Sequence, residues 1–239
     1  MRCFYCKNLN TNYADLCDSD RKHLFSILRA EENSRIQLID GKGGIAEGLI
    51  ESDRTISIHS FMHCPPPRIK VHLYVSPPRK HKMDLLLSQC TEAGAWVIHP
   101  MFTRRSVALP KKETTVNRWR LRLIEACKQS HNPFIPQIYP PINFNKAVEN
   151  IAESGLAAFF GSTDFANNSN MPSLNQTELA WFVGPEGGFA QEETELMINA
   201  GFHAISIGRW IMRVETAAVT GTALLQCRGR YQSGIITEN

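Results

Sequence analysis

The residue types best suited to chemistry in this chain fall in two glycine-containing loops. The first is Gly184-Pro185-Glu186-Gly187-Gly188-Phe189, which follows the apolar run Trp181-Phe182-Val183. A polar, helix-favouring stretch, Gln191 to Ala200, comes next. Strand, glycine loop and helix in that order place small-molecule ligands at the carboxyl edge of an α/β sheet. Without Cβ atoms in the way, such a loop turns tightly and lets backbone groups approach a ligand. The bland reading is a tight turn with no ligand. The chain has no Gly-x-Gly-x-x-Gly, and no Lys-Ser/Thr closes the loop, so the backbone is expected to face something other than a polyphosphate. Glu186 has two readings, a cap for backbone N–H groups or a group that orients a substrate.

The second loop is Ile207-Gly208-Arg209-Trp210-Ile211-Met212-Arg213, which runs into Val214-Glu215-Thr216-Ala217. Arg213 stands at the head of a predicted helix, where the macrodipole mildly disfavours a cation. It therefore either pairs with Glu215 or a neighbouring carboxylate, or has a task other than helix stability. Glu215 suits the dipole, so its placement is explained by the helix alone.

These loops need a framework, and the rest of the chain predicts one. Lys70 to Val75, Trp96 to Ile98, Leu156 to Phe160, Leu179 to Val183 and Ala204 to Ile207 read as strands. Met83 to Ala93, Thr115 to Ser130 and Val214 to Cys227 read as helices, the first ending at Gly94. The last three strands run into Gly161, Gly184 and Gly208. If those strands are parallel, the three loops share one sheet edge and build one pocket, walled by Phe160, Gly161, Val183, Ile207 and Gly208. The first sixty or so residues have a different texture. Asp20 to Arg29 predicts a short helix opened by an Asp cap. Arg35 to Ile39, a turn at Asp40-Gly41, Ile45 to Ile50 and Thr55 to His59 predict a small β-rich unit. Pro65-Pro66-Pro67 makes a stiff spacer and the domain boundary. Asn167 to Pro172 predicts a polar loop, and Ser233 to Asn239 a frayed tail.

Charge and composition narrow the classes. The chain has 239 residues, of which 43% are apolar and 21% charged, as in soluble globular proteins. No apolar run reaches the length of a membrane span. The segment Met1 to Lys7 lacks the apolar core of a signal peptide, so the expected location is cytoplasmic. Seven scattered cysteines read as free thiols, and Cys3-x-x-Cys6 lacks a second pair, so no metal is expected. From Arg68 to His131 thirteen Lys/Arg face four Asp/Glu, a balance of +9. From Ile151 to Ala200 there are seven Asp/Glu and no Lys/Arg, a balance of −7. One basic face suits a phosphate backbone, and a solvated helix surface suits the same counts.

The two loop motifs, taken in order, resemble the RsmE family of the SPOUT superfamily, RNA methyltransferases that act on a uridine N3 in 16S ribosomal RNA. Arg2 with Phe4-Tyr5, His23-Leu24, Ile27-Leu28-Arg29, Asp40-Gly41-Lys42-Gly43, Lys82-Met83-Asp84, Thr91-Glu92, Arg105-Ser106-Val107 and Gln129-Ser130 extend the resemblance over nearly the whole chain. It implies an α/β fold with an N-terminal PUA-like β-barrel, residues 1–66, and a C-terminal SPOUT domain with a trefoil knot, residues 68–235. It also implies a homodimer acting on the small ribosomal subunit with S-adenosylmethionine as methyl donor.

The resemblance assigns the donor to Phe160, Gly161, Val183, Gly184, Pro185, Glu186, Gly188, Ile207, Gly208, Met212, Arg213 and Thr216. Arg213 and Glu186 become the catalytic candidates, with the Arg213 guanidinium facing the anion formed when uracil loses its N3 proton. Arg2, Arg29, Arg104, Arg105, Lys111 and Lys112 become candidates for RNA phosphates. The chain departs from the family pattern at Gln89, at Lys128-Gln129-Ser130-His131-Asn132, at Ala190 and at Met212. Ala190 removes a side-chain N-cap worth about 1 kcal/mol. Two alternatives remain: a ribose 2′-O-methyltransferase of the SPOUT type, and a non-catalytic RNA-binding protein of ribosome assembly.

Overall fold

A computed structural model describes residues 1–9, 11–12, 14–107, 113–162 and 176–231. Lys111, Lys112, the loop Asn167 to Pro172 and the tail Ser233 to Asn239 lie outside the described residues. The chain divides into two compact units, Met1–Pro66 with Leu123–Ile135, and Pro67–Arg122 with Pro136–Asn239.

In the first unit, β1 (Arg2–Tyr5), β2 (Arg35–Ile39), β3 (Gly44–Ile50) and β4 (Ile56–His63) form one sheet in that order. β1 runs parallel to β2, and the other pairs are antiparallel. β3 alternates buried and half-buried positions throughout, as a strand with one core face must. Phe4, Leu24, Ile36, Leu38, Ala46, Ile50 and Ile56 build the core beneath it. The Asp40 carboxylate closes the β2–β3 turn by accepting from the backbone N–H of Lys42 (2.7 Å) and Gly44 (2.8 Å). Cys3 and Cys6 are buried free thiols, and burial pushes the Cys3 pKa up to about 11.

The short helix does not begin with an Asp cap. α1 spans Asp18–Lys22 behind Cys17, which makes no side-chain cap, and a π-helical turn follows over His23–Ile27. Asp20 has a stronger partner than an orphan N–H. Its Oδ1 lies 2.7 Å from the Lys128 ammonium, both side chains are nearly buried, and Glu125 is 2.9 Å away on the other side. Lys128, one of the departures from the family pattern, is thus used inside this unit. Burial pushes its pKa down, but hydrogen bonds and charge from Asp20 and Glu125 outweigh burial and hold it above the ordinary lysine value.

Removing one partner strands the other in a poorly solvated site. Lys128→Met is therefore expected to cost about 3 kcal/mol of unfolding free energy. A raised folded-state pKa gives stability that is complete below the unfolded value and is lost as pH rises through the folded one. The difference between wild type and variant in urea melts should stay constant to about pH 10 and shrink above it. A difference that is flat through that rise would show that the ammonium is not its source.

The second unit is a parallel sheet with helices on both faces. Its strands are β5 (Lys70–Val75), β6 (Ala95–Phe102), β7 (Gln137–Ile138), β9 (Ala157–Gly161), β10 (Glu178–Val183) and β11 (His203–Ile205), with β8 (Ile142–Asn143) pairing β6. The order is β11-β9-β10-β5-β6-β7, and every described pairing is parallel. A parallel sheet is covered on both faces, which is why β10 is buried from Leu179 to Val183. On one face Tyr74, Phe160 and Phe182 pack with Phe144, Ala147, Val148 and Ile151 of α4 (Phe144–Ser154). The Tyr74 ring stacks on both Phe182 and His99, with centroids 4.5 and 4.3 Å apart. α6 (Val214–Tyr231) packs on β5 and β10 beside α2 (Lys80–Glu92). The basic helix α3 (Glu113–Ser130) sets Arg118 and Arg122 within 3.5 and 3.9 Å of Asp84.

Candidate functional site

The parallel register brings the ends of β9, β10 and β11 to one edge, and a cavity of about 670 Å³ opens there. That volume suits a small-molecule ligand. Ten of the twelve residues expected at a donor site line it: Phe160, Gly161, Val183, Gly184, Pro185, Glu186, Gly188, Ile207, Gly208 and Met212. Arg213 and Thr216 are exposed and stand outside the lining. Residues without an obvious sequence signal also contribute, among them Trp181, Ile205, Trp210 and Ala217.

The glycine loop begins as a tight turn in which Gly188 N–H donates to Pro185 O at 2.8 Å. Gly188 has φ +69°, a conformation that favours glycine. At Gly184 an added Cβ would sit 3.1 Å from the Phe189 backbone nitrogen, so the loop is closed against itself. Glu186 is exposed, and its carboxylate makes no hydrogen bond among the described residues. The capping reading of Glu186 therefore finds no partner in the loop.

Arg105 fixes the loop from outside. Its Nη1 donates to the carbonyls of Gly187 (2.8 Å) and Phe189 (3.3 Å). The turn that carries Arg105 is itself pinned. Ser106 Oγ lies 2.8 Å from Ser76 Oγ and accepts from Thr103 N–H at 2.9 Å, while Ser76 N–H donates to Val183 O at 3.0 Å. Glu193, nearly buried in α5 (Gln191–Asn199), joins the two loops: Oε1 accepts from Arg104 N–H at 2.7 Å and Oε2 from Ala190 N–H at 2.8 Å. Ala190 has no side-chain acceptor, so Glu193 supplies only the reciprocal half of a capping box. The Arg104 guanidinium pairs with Glu192 at 2.8 Å. Arg104 and Arg105, expected at RNA phosphates, both have intramolecular partners, whereas Arg2 and Arg29 are exposed in the first unit.

The second loop is held by Ser206 Oγ donating to Gly208 O at 3.1 Å. Thr220 Oγ1 lies 3.5 Å from the Met212 sulfur. Arg213 does not pair with Glu215. Glu215 is buried, its Oε1 is 3.7 Å from Lys82 Nζ, and its Oε2 has no hydrogen-bond partner. Arg213 makes no ion pair among the described residues, so the guanidinium is available to a ligand. Two glycine loops, an apolar wall and backbone groups fixed by Arg105 make a site for a ligand with both apolar and polar parts. Among the described residues no group of three or more His, Cys, Asp or Glu is placed to hold a metal, and no helix is long and apolar enough to cross a membrane.

A parallel sheet with ligand loops at its carboxyl edge, joined to a separate β-rich unit, defines the class, and the comparisons agree. The family model for an RNA methyltransferase domain matches residues 65–226, and that for an RNA methyltransferase PUA domain matches residues 16–59. The chain belongs to this RNA methyltransferase family. Similar proteins include the ribosomal RNA small subunit methyltransferase E of Aquifex aeolicus, 27% identical over 94% of this chain and 99% of that one. The protein of the same name from Synechocystis is 27% identical over 84% of this chain and 68% of its own. Among solved structures, the ribosomal RNA small subunit methyltransferase E of Neisseria gonorrhoeae, bound to S-adenosyl methionine, superposes with a TM-score of 0.85. It is 27% identical over 95% of this chain and 98% of that one.

Proposed function

We propose that this protein methylates a uridine N3 in 16S ribosomal RNA of the small ribosomal subunit, using S-adenosylmethionine. The carrying observation is the cavity formed by the two glycine loops in a chain of the RNA methyltransferase family. The residues fit the donor. Phe160, Val183 and Ile207 offer apolar contact to its adenine, and the turn at Gly184 to Gly188 brings backbone groups to its polar parts. When bound, the donor supplies a methyl group on a sulfonium, open to attack by a nucleophile.

The chain's own groups then position and stabilise. Uracil N3 attacks only after losing its proton, which leaves negative charge over O2 and O4. The Arg213 guanidinium, which makes no ion pair among the described residues, presents a fork of donors to that charge. Glu186, exposed and without a hydrogen-bond partner among the described residues, orients the uracil. Water accepts the proton, and rate comes from holding donor and acceptor in line. The knotted topology, the homodimer and phosphate contacts by Arg2, Arg29, Lys111 and Lys112 belong to the same proposal. The test is transfer of labelled methyl from S-adenosylmethionine to the RNA of purified small subunits. A folded protein that binds the subunit and transfers nothing would leave only the assembly role.

A further inference from the structure

The loop Arg209 to Arg213 has an unusual surface. Trp210 is 77% exposed and Ile211 85% exposed, although both line the cavity rim. A tryptophan buries more apolar area than most side chains, so its exposure beside a cavity forgoes stabilisation that an inward placement would give. The Arg209 guanidinium lies 5.1 Å from the Trp210 ring centroid, over one face of the ring. Arg209 and Arg213 are both exposed, and neither makes an ion pair among the described residues. The ring thus carries an exposed cation over one face at the mouth of a ligand cavity, with no ion-pair partner for that cation among the described residues.

We infer that Trp210 is a stacking platform for an unpaired RNA base, with Arg209 drawing the adjoining phosphate to the rim. The inference rests on the proposed RNA substrate and adds the element that grips it. An exposed π-face beside a cation matches single-stranded nucleic acid, whose bases stack on aromatic rings while its phosphates meet arginine. An apolar protein partner fits less well, because covering Trp210 would desolvate the Arg209 guanidinium without a counter-charge.

The experiment compares wild type with Trp210→Ala, Trp210→Leu and Trp210→Phe. It measures KM for small ribosomal subunits, cosedimentation with those subunits, and the Kd for S-adenosylmethionine. Loss of one stacked base should raise KM about tenfold in Trp210→Ala and Trp210→Leu, while Trp210→Phe stays within about threefold. Because Trp210 also lines the cavity rim, the donor Kd should rise, but by no more than about threefold and so well short of the change in subunit KM. An unchanged subunit KM in Trp210→Ala would overturn the inference. So would an equal weakening of donor binding, which would make Trp210 a cavity wall, or a change from dimer to monomer in sedimentation, which would make it a subunit contact. Trp210-dependent cosedimentation by a wild type that transfers no methyl group would keep the platform and remove the catalytic reading.

Discussion

Replacing Arg213 by Ala should lower kcat for methyl transfer about 100-fold, the loss typical when one preorganised donor to a developing anion is removed. Arg213→Lys should recover only part of this, because an ammonium keeps the charge but lacks the planar fork that matches a delocalised anion. The donor Kd should change little, since Arg213 lies outside the cavity lining. The protein should remain folded, since the side chain is exposed and supports no ion pair among the described residues. A rate effect without a donor-binding effect separates charge stabilisation from simple pocket damage. An unchanged kcat in Arg213→Lys would remove the role assigned to the fork.

The second large effect is expected at Gly221, inside α6. An added Cβ there would meet the Trp181 ring at 2.1 Å, closer than any real contact. Trp181 cannot move aside cheaply. It is fully buried, and its Nε1–H donates to Ala217 O at 3.1 Å. Gly→Ala in a helix interior normally gains about 1 kcal/mol of propensity. Overpacking a closed core costs about 1–3 kcal/mol and sometimes more, and displacing the indole would also break its hydrogen bond, about 1 kcal/mol. The costs win, so Gly221→Ala should destabilise the fold by about 2 kcal/mol and lower the urea midpoint. Trp181 and Ala217 also line the cavity, so donor binding should weaken in the same variant. A stabilised Gly221→Ala would mean that the Trp181 seat is far looser than its burial indicates.

What the sequence disclosed depended on how local the signal was. β9 and β10 were legible because short apolar runs stop at glycine, and β5 because it is six residues of alternating and apolar texture. α2 and its end at Gly94, which has φ +87°, follow from an apolar period and a C′ glycine. β6 reads as three residues but spans Ala95–Phe102, because Pro100 resembles a strand breaker. The register shows Pro100 opposite Val75, near the end of that pairing. α4 was missed although Phe144, Ala147, Val148 and Ile151 keep helical spacing and Asn143 caps it.

The order of strands in the second sheet had no local signal, because parallel neighbours are joined through distant crossovers. The same distance explains the site. The cavity lining was readable from loop composition, whereas its supports were not. Arg105 meets carbonyls 82 and 84 positions away, and Glu193 meets a backbone N–H 89 positions away. In a sequence, an arginine that holds a loop carbonyl looks like any other surface arginine. Lys128 gave the same difficulty. As a departure from a family motif it carried no sign of its partner, and the structure uses it in a nearly buried pair with Asp20.

The most direct test of the central claim is the identity of the product nucleoside. The purified protein would be incubated with labelled S-adenosylmethionine and small ribosomal subunits lacking the modification, and the RNA digested and resolved by mass. The account predicts N3-methyluridine as the labelled product. A labelled 2′-O-methyl nucleoside would contradict it and place the methyl acceptor on the ribose.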